Sequence, residues 1–158
     1  FSFYTVYYLR NEFDKNYTFF LMILGISIFT DIGGYIFGRI FKGPRLTTIS
    51  PKKTYSGMFG GYFTSLVFVF LFLNNLQYLF DHPSIEIFRE KFLLNIYLLT
   101  IIVSTTSQFG DLTVSYFKRL SKIKDTGKII PGHGGFLDRV DGMLFAFPAS
   151  YIIFKTIY

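Results

Sequence analysis

The sequence predicts an all-α fold, a polytopic transmembrane helical bundle with a polar cavity facing the cytoplasm. Three observations carry that expectation. Half of the 158 residues are apolar and 22% are aromatic, against 16% charged, a composition suited to a chain whose solvent is the bilayer. The charges fall in short blocks and leave long uncharged intervals, one of them 27 residues between Lys53 and Asp81. Roughly 20 apolar residues suffice to cross about 30 Å of hydrocarbon. Lys and Arg also crowd alternate loops, as expected of a multi-pass protein.

The chain opens with FSFYTVYYL, already apolar and aromatic and without an initiator Met, so residues 1–158 are expected to be one membrane-embedded domain, the C-terminal part of a longer chain. The first span is expected at 17–41, interrupted by Asp31, and the second at 56–73 within the long uncharged run. The third is expected at 92–109, between Lys91 and Asp111, and the fourth at 142–158. No internal repeat is evident. There is no cysteine, which removes disulfides and thiolate sites, and His82 and His133 have no soft ligand near them in sequence to suggest zinc.

Orientation follows from the basic loops. The connection after the first span carries Lys42, Arg45, Lys52 and Lys53, and the one after the third carries Lys118, Arg119, Lys122, Lys124, Lys128 and Arg139. Only Arg89 and Lys91 lie between spans two and three. Both basic loops are therefore expected on the cytoplasmic face, concentrating there the net charge of +6. A topology signal alone accounts for such loops; binding of anionic headgroups or a polyanionic nucleotide is the other reading.

The acids are harder to assign to topology. Asp31 lies about ten residues before the end of its span, roughly 15 Å deep at 1.5 Å per residue. A carboxylate near a helix centre costs about 2.5 to 3.5 kcal/mol, so it should face a partner, a cation or a wet cavity; Arg39 is the simple partner. Gly34 and Gly38, on the same face as Asp31, would let another helix approach closely. Asp138 and Asp141 are three apart at the expected start of span four, where helix capping is the alternative to chemistry. With Asp111 and Asp31 they make four carboxylates expected to converge at one level from three helices. Carboxylates gathered without His or Cys suit a hard cation, most naturally magnesium shared with substrate phosphates. The Gly132-His133-Gly134-Gly135 segment before span four is either a simple turn or a receptor for phosphate on backbone amides.

The stretch SYFKRLSKIKDTGKIIPGHGGFLDRVD, residues 115–141, resembles the signature of the phosphatidate cytidylyltransferase (CDP-diacylglycerol synthase) family. DIGGYIFGRIFKGPRL, ISPKKTYSGMFGG and SQFGDL resemble three further blocks of that family, and the likeness runs from about residue 25 to 148. Departures are Tyr55-Ser56 for Trp-Glu, Ser107 for Gly, Val114 for an acid and Gly142 for Ser. The resemblance implies a nucleotidyltransferase that converts CTP and phosphatidate to CDP-diacylglycerol and pyrophosphate with Mg2+ and room for a second cation. It implies a multi-pass protein, in the inner (plasma) membrane of a bacterium, with membrane lipid and a second copy of itself as partners and no role for nucleic acid. On this reading Asp111, Asp138 and Asp141 hold metal, with Asp31 joining them or shaping the cavity. Asp111, Lys124, Asp138 and Asp141 form the catalytic set, and Ser50, Lys52, Lys53, Thr54, Lys118, Arg119, His133, Gly134, Gly135 and Arg139 bind substrate. A CTP-dependent polyprenol or phytol kinase is the nearest alternative, and a transporter or scaffold the alternative of another class.

Overall fold

The computed structural model describes residues 1–11, 17–48, 50–79, 84–123, 126–127, 135 and 140–157, with 76–79, 84–94 and 157 as backbone only. Among the described residues it is all-helical, with five named helices in order: α1 Ser2–Asn11, α2 Thr18–Phe41, α3 Tyr55–Leu79, α4 Ser84–Leu120 and α5 Met143–Ile157. The one bridge outside them, among the described residues, pairs Arg45 with Thr54. The stretch Thr18–Phe41 and the Tyr55–Asn75 part of α3 are long and apolar enough to cross a membrane, and Met143–Thr156 is a shorter apolar helix.

Helix α2 lies along α3, and α4 packs on α5 while touching both α2 and α3. The α2–α3 contact is close because glycines face one another. A Cβ on Gly57 would meet the Gly34 carbonyl at 2.6 Å and the Gly38 Cα at 3.4 Å, so the expected glycine face of α2 does receive a neighbouring helix. The core joins Phe19, Met22, Ile23 and Ile26 of α2 to Val69, Ile96, Leu99 and Val103, and to Ala146, Phe147 and Phe154 of α5.

Polarity is partly inverted. Ser27, Thr30, Ser65, Thr100, Ser104 and Ser107 are fully buried, whereas Phe59, Phe63, Phe70, Leu71 and Ile40 are each more than half exposed. Thr30 and Thr100 donate to the carbonyls of Ile26 and Ile96 at 2.7 and 2.8 Å, and the Thr30 hydroxyl also reaches the Ser104 hydroxyl at 2.9 Å, tying α2 to α4. Small hydroxyl residues inside and large apolar ones outside are what helices need when lipid is the surrounding solvent.

The apolar run at 92–109 lies within helix α4, which continues through Asp111 to Leu120, because leaving an apolar run does not remove the backbone's own hydrogen bonds. The first turn of α5 carries no acid; Asp141 sits in a turn two residues before Met143, and Asp138 lies outside the described residues.

Candidate active site

The connection between α2 and α3 is built to stay in place. Lys42 closes α2 in the left-handed conformation with φ 44°, and the Leu46 amide then donates to the Lys53 carbonyl at 2.8 Å. Thr54 begins α3 as an N-cap: its hydroxyl accepts the Gly57 amide at 3.1 Å. The Ser56 hydroxyl accepts the Gly43 amide at 3.2 Å, so Ser56 fastens the loop locally.

So held, Ser50, Lys52, Lys53 and Thr54 line a cavity of about 300 Å3 together with Asp31 and Gly34 of α2 and Gln108 and Asp111 of α4. Lys53 is ion-paired to Asp111, and the Ser115 hydroxyl lies 3.4 Å from Asp111 Oδ1. Asp141 is 7% exposed. Its Oδ1 accepts the Gly142 amide at 2.9 Å, and its Oδ2 is 3.8 Å from Lys118 Nζ. Burial, then the charge of Asp111, push the Asp141 carboxyl up from 3.8 to about 6, against the opposing pull of the Gly142 amide, Lys118 and Lys53. The site is thus short of positive charge even with two lysines present.

Asp31 does not pair with Arg39, whose guanidinium donates instead to the Tyr35 hydroxyl at 2.9 Å. Asp31 faces the cavity, where it feels the charges of Asp111, Asp141 and Lys53. Three of the four expected carboxylates therefore share one electrostatic neighbourhood. Asp138, Lys124, His133, Gly134 and Arg139 lie outside the described residues. Gly135 is described and packs against Gly127: a Cβ there would lie 2.8 Å from the Gly127 amide nitrogen. Arg119 does not join Lys53 at the cavity but lines a separate one.

Gln108 is a lining residue to which the sequence reading gives no role. It stands three residues before Asp111 on the same helix face, and its amide reaches the Met58 carbonyl and the Ser104 hydroxyl, each at 3.5 Å. The available signal is that Gln108 ends the polar run Ser104-Thr105-Thr106-Ser107 shortly before Asp111. Among the described residues no three His, Cys, Asp or Glu side chains come together closely enough to hold a metal ion. The donors present are nevertheless of the right kind: oxygen ligands, mutually repelling, next to bases suited to phosphate.

The helical scaffold brings carboxylates and lysines together at and beside a cavity between apolar helices. Residues 1–157 match the model of the cytidylyltransferase family. The chain belongs to that family. Over 128 residues it is 43% identical to a phosphatidate cytidylyltransferase of Staphylococcus haemolyticus (strain JCSC1435), covering 78% of this chain and 44% of that protein. It is 38% identical over the same length to one from Staphylococcus aureus (strain COL), and 40% identical over 126 residues to one from Staphylococcus epidermidis (strain ATCC 12228 / FDA PCI 1200), with the same coverage. The chain spans about half the length of the curated relatives it matches.

Proposed function

We propose that this chain carries the reaction centre of a phosphatidate cytidylyltransferase, which joins CTP and phosphatidate into CDP-diacylglycerol and releases pyrophosphate. The observation that carries the reading is the meeting of Asp111, Asp141 and Asp31 with Lys53 and Lys118, in a chain of the cytidylyltransferase family whose relatives bear that name.

The chemistry asks little of proton transfer. An ionised oxygen of the lipid phosphate attacks the α-phosphorus of CTP, a new P–O bond forms, and the bond to the β-phosphate oxygen breaks, with its electron pair leaving on pyrophosphate. The obstacle is repulsion between two anions, which positioning and electrostatics relieve. Lys53 and Lys118 supply positive charge, Lys52 adds to it at the cavity wall, and Ser50 and Thr54 offer hydroxyl donors. Asp111 and Asp141 would hold Mg2+, with Asp138 and less directly Asp31. When bound, that ion supplies charge neutralisation and a template for both phosphates. Exchange of Lys53 and Lys118 from carboxylate to phosphate would accompany its binding.

The proposal extends to four membrane spans, with the cavity opening toward the cytoplasm of a bacterial cell and a homodimer as the assembly; the basic connections at 42–53 and 118–139 support that orientation. The test is product formation: full-length protein given CTP, phosphatidate and Mg2+ should yield CDP-diacylglycerol on thin-layer separation. Consumption of CTP without that product, or none at all, would sink the proposal.

A further inference from the structure

A second, open cavity of about 520 Å3 lies between the α2–α3 connection and the end of α4, lined by Thr48, Pro51, Tyr116, Arg119 and Leu120. It shares a wall with the first: Ser50, Lys52 and Lys53 line one cavity, and Pro51 between them lines the other. Successive residues of α4 divide in the same way. Lys118 approaches Asp141, while Arg119, about 100° further round the helix, lines the second cavity.

The two cavities differ in chemistry. Carboxylates line the first, Asp31 and Asp111, and Lys53 there is ion-paired to Asp111. Among the described residues the Arg119 side chain has no ion-pair or hydrogen-bond partner, and none of those that line its cavity is a carboxylate. A guanidinium so placed suits a phosphate, which it grips with two parallel N–H donors. The remaining walls are apolar or aromatic, and they continue onto a surface where Phe117 is 59% and Leu120 60% exposed. Aromatic and apolar side chains mixed with Lys118, Arg119 and Lys122 are typical of a helix end at the membrane interface. A nucleotide base could stack on Tyr116 but would leave the apolar rim uncovered, whereas a phosphate carried on diacylglycerol gains burial of its first carbons against it.

We propose that this second cavity receives the phosphomonoester headgroup of the lipid substrate, with Arg119 on the phosphate and Tyr116 and Leu120 against the glycerol backbone. The identity of that lipid rests on the cytidylyl-transfer reading. The two anionic substrates then occupy adjacent cavities with the lysine-bearing wall at residues 50–53 between them.

The test uses the full-length protein in detergent and two soluble probes, dioctanoyl phosphatidate and inorganic phosphate, titrated calorimetrically without CTP. Dioctanoyl phosphatidate should bind and inorganic phosphate should bind far more weakly. Arg119→Gln should weaken the lipid about tenfold or more, as expected for loss of a charge-assisted hydrogen bond, with Arg119→Lys intermediate. In mixed-micelle assays the same variant should raise KM for phosphatidate by about tenfold and leave KM for CTP within about twofold. A rise in KM for CTP alone, unchanged lipid binding in Arg119→Gln, or equal affinity for inorganic phosphate would each overturn the assignment. If the wild-type protein transfers nothing to lipid, the functional reading fails, and the binding titration still decides whether this cavity holds a lipid phosphate.

Discussion

Asp141 carries two opposed demands, and they can be measured separately. The fold raises its carboxyl from 3.8 to about 6, so between those values the folded chain binds more protons than the unfolded one. Stability should therefore fall as pH rises through that window and level off above it, the reverse of the usual salt-bridged carboxylate. Asp141→Asn, free of the buried charge, should raise the thermal midpoint of the cation-free protein above pH 6 while lowering turnover by orders of magnitude. A variant that is active, or one whose midpoint follows the wild-type pH dependence, would contradict the role given to Asp141. Ser107 and Gly142 are both departures from the pattern the sequence resembles, and the structure brings them together. A Cβ on Gly142 would lie 2.6 Å from the Ser107 hydroxyl and 3.0 Å from its carbonyl, so the missing side chain at 142 accommodates the added one at 107. Gly142→Ser should cost about 1 to 3 kcal/mol of stability by overpacking, and Ser107→Gly in the same chain should recover most of it. Additive effects in that double-mutant cycle would show that the two positions do not compensate.

At the scale of the helix, the long apolar segments were legible because composition and charge spacing depend on the solvent a segment meets. Residues 17–41 and 142–158 fall almost wholly on α2 and α5 for that reason. The end of α4 was not legible, since Asp111 marks a change of surroundings and not of backbone conformation. Helix α1 escaped as well: ten residues are marginal as an isolated helix, and its place depends on packing against α5. One contact there follows from chain chemistry. Pro148 has no N–H to give the Leu144 carbonyl, and the Ser2 hydroxyl donates to that carbonyl at 2.8 Å from α1. Ser2→Ala should cost about 1 to 3 kcal/mol, and much less when Pro148→Ala restores the internal donor. Equal costs in both backgrounds, read from chemical or thermal unfolding, would separate Ser2 from the proline. At the site, the sequence named Asp31, Lys53 and Asp111, which the structure brings together. The division of Lys118 from Arg119 and the wall role of Gln108 needed the helix phases that only the packed structure supplies.

For the whole molecule, the inverted polarity and the basic connections make one prediction about placement. The sequence has no cysteine, so single cysteines introduced at 42–55 and 111–123 should be labelled by an impermeant thiol reagent from the cytoplasmic side, and one near Pro83 from the opposite side. All three labelled from one side would break the helix count. That placement would set the lysines and carboxylates at the membrane surface, and the chemistry proposed there is attack on the α-phosphorus. The most direct measurement follows the phosphorus atoms themselves, with CTP labelled at either the α or the γ position and supplied with phosphatidate and Mg2+. Label from the α position should appear in lipid and label from the γ position in pyrophosphate, with both transfers lost in Asp141→Asn. Transfer of γ label to lipid, with none from the α position, would contradict the account and mark the chain as a kinase.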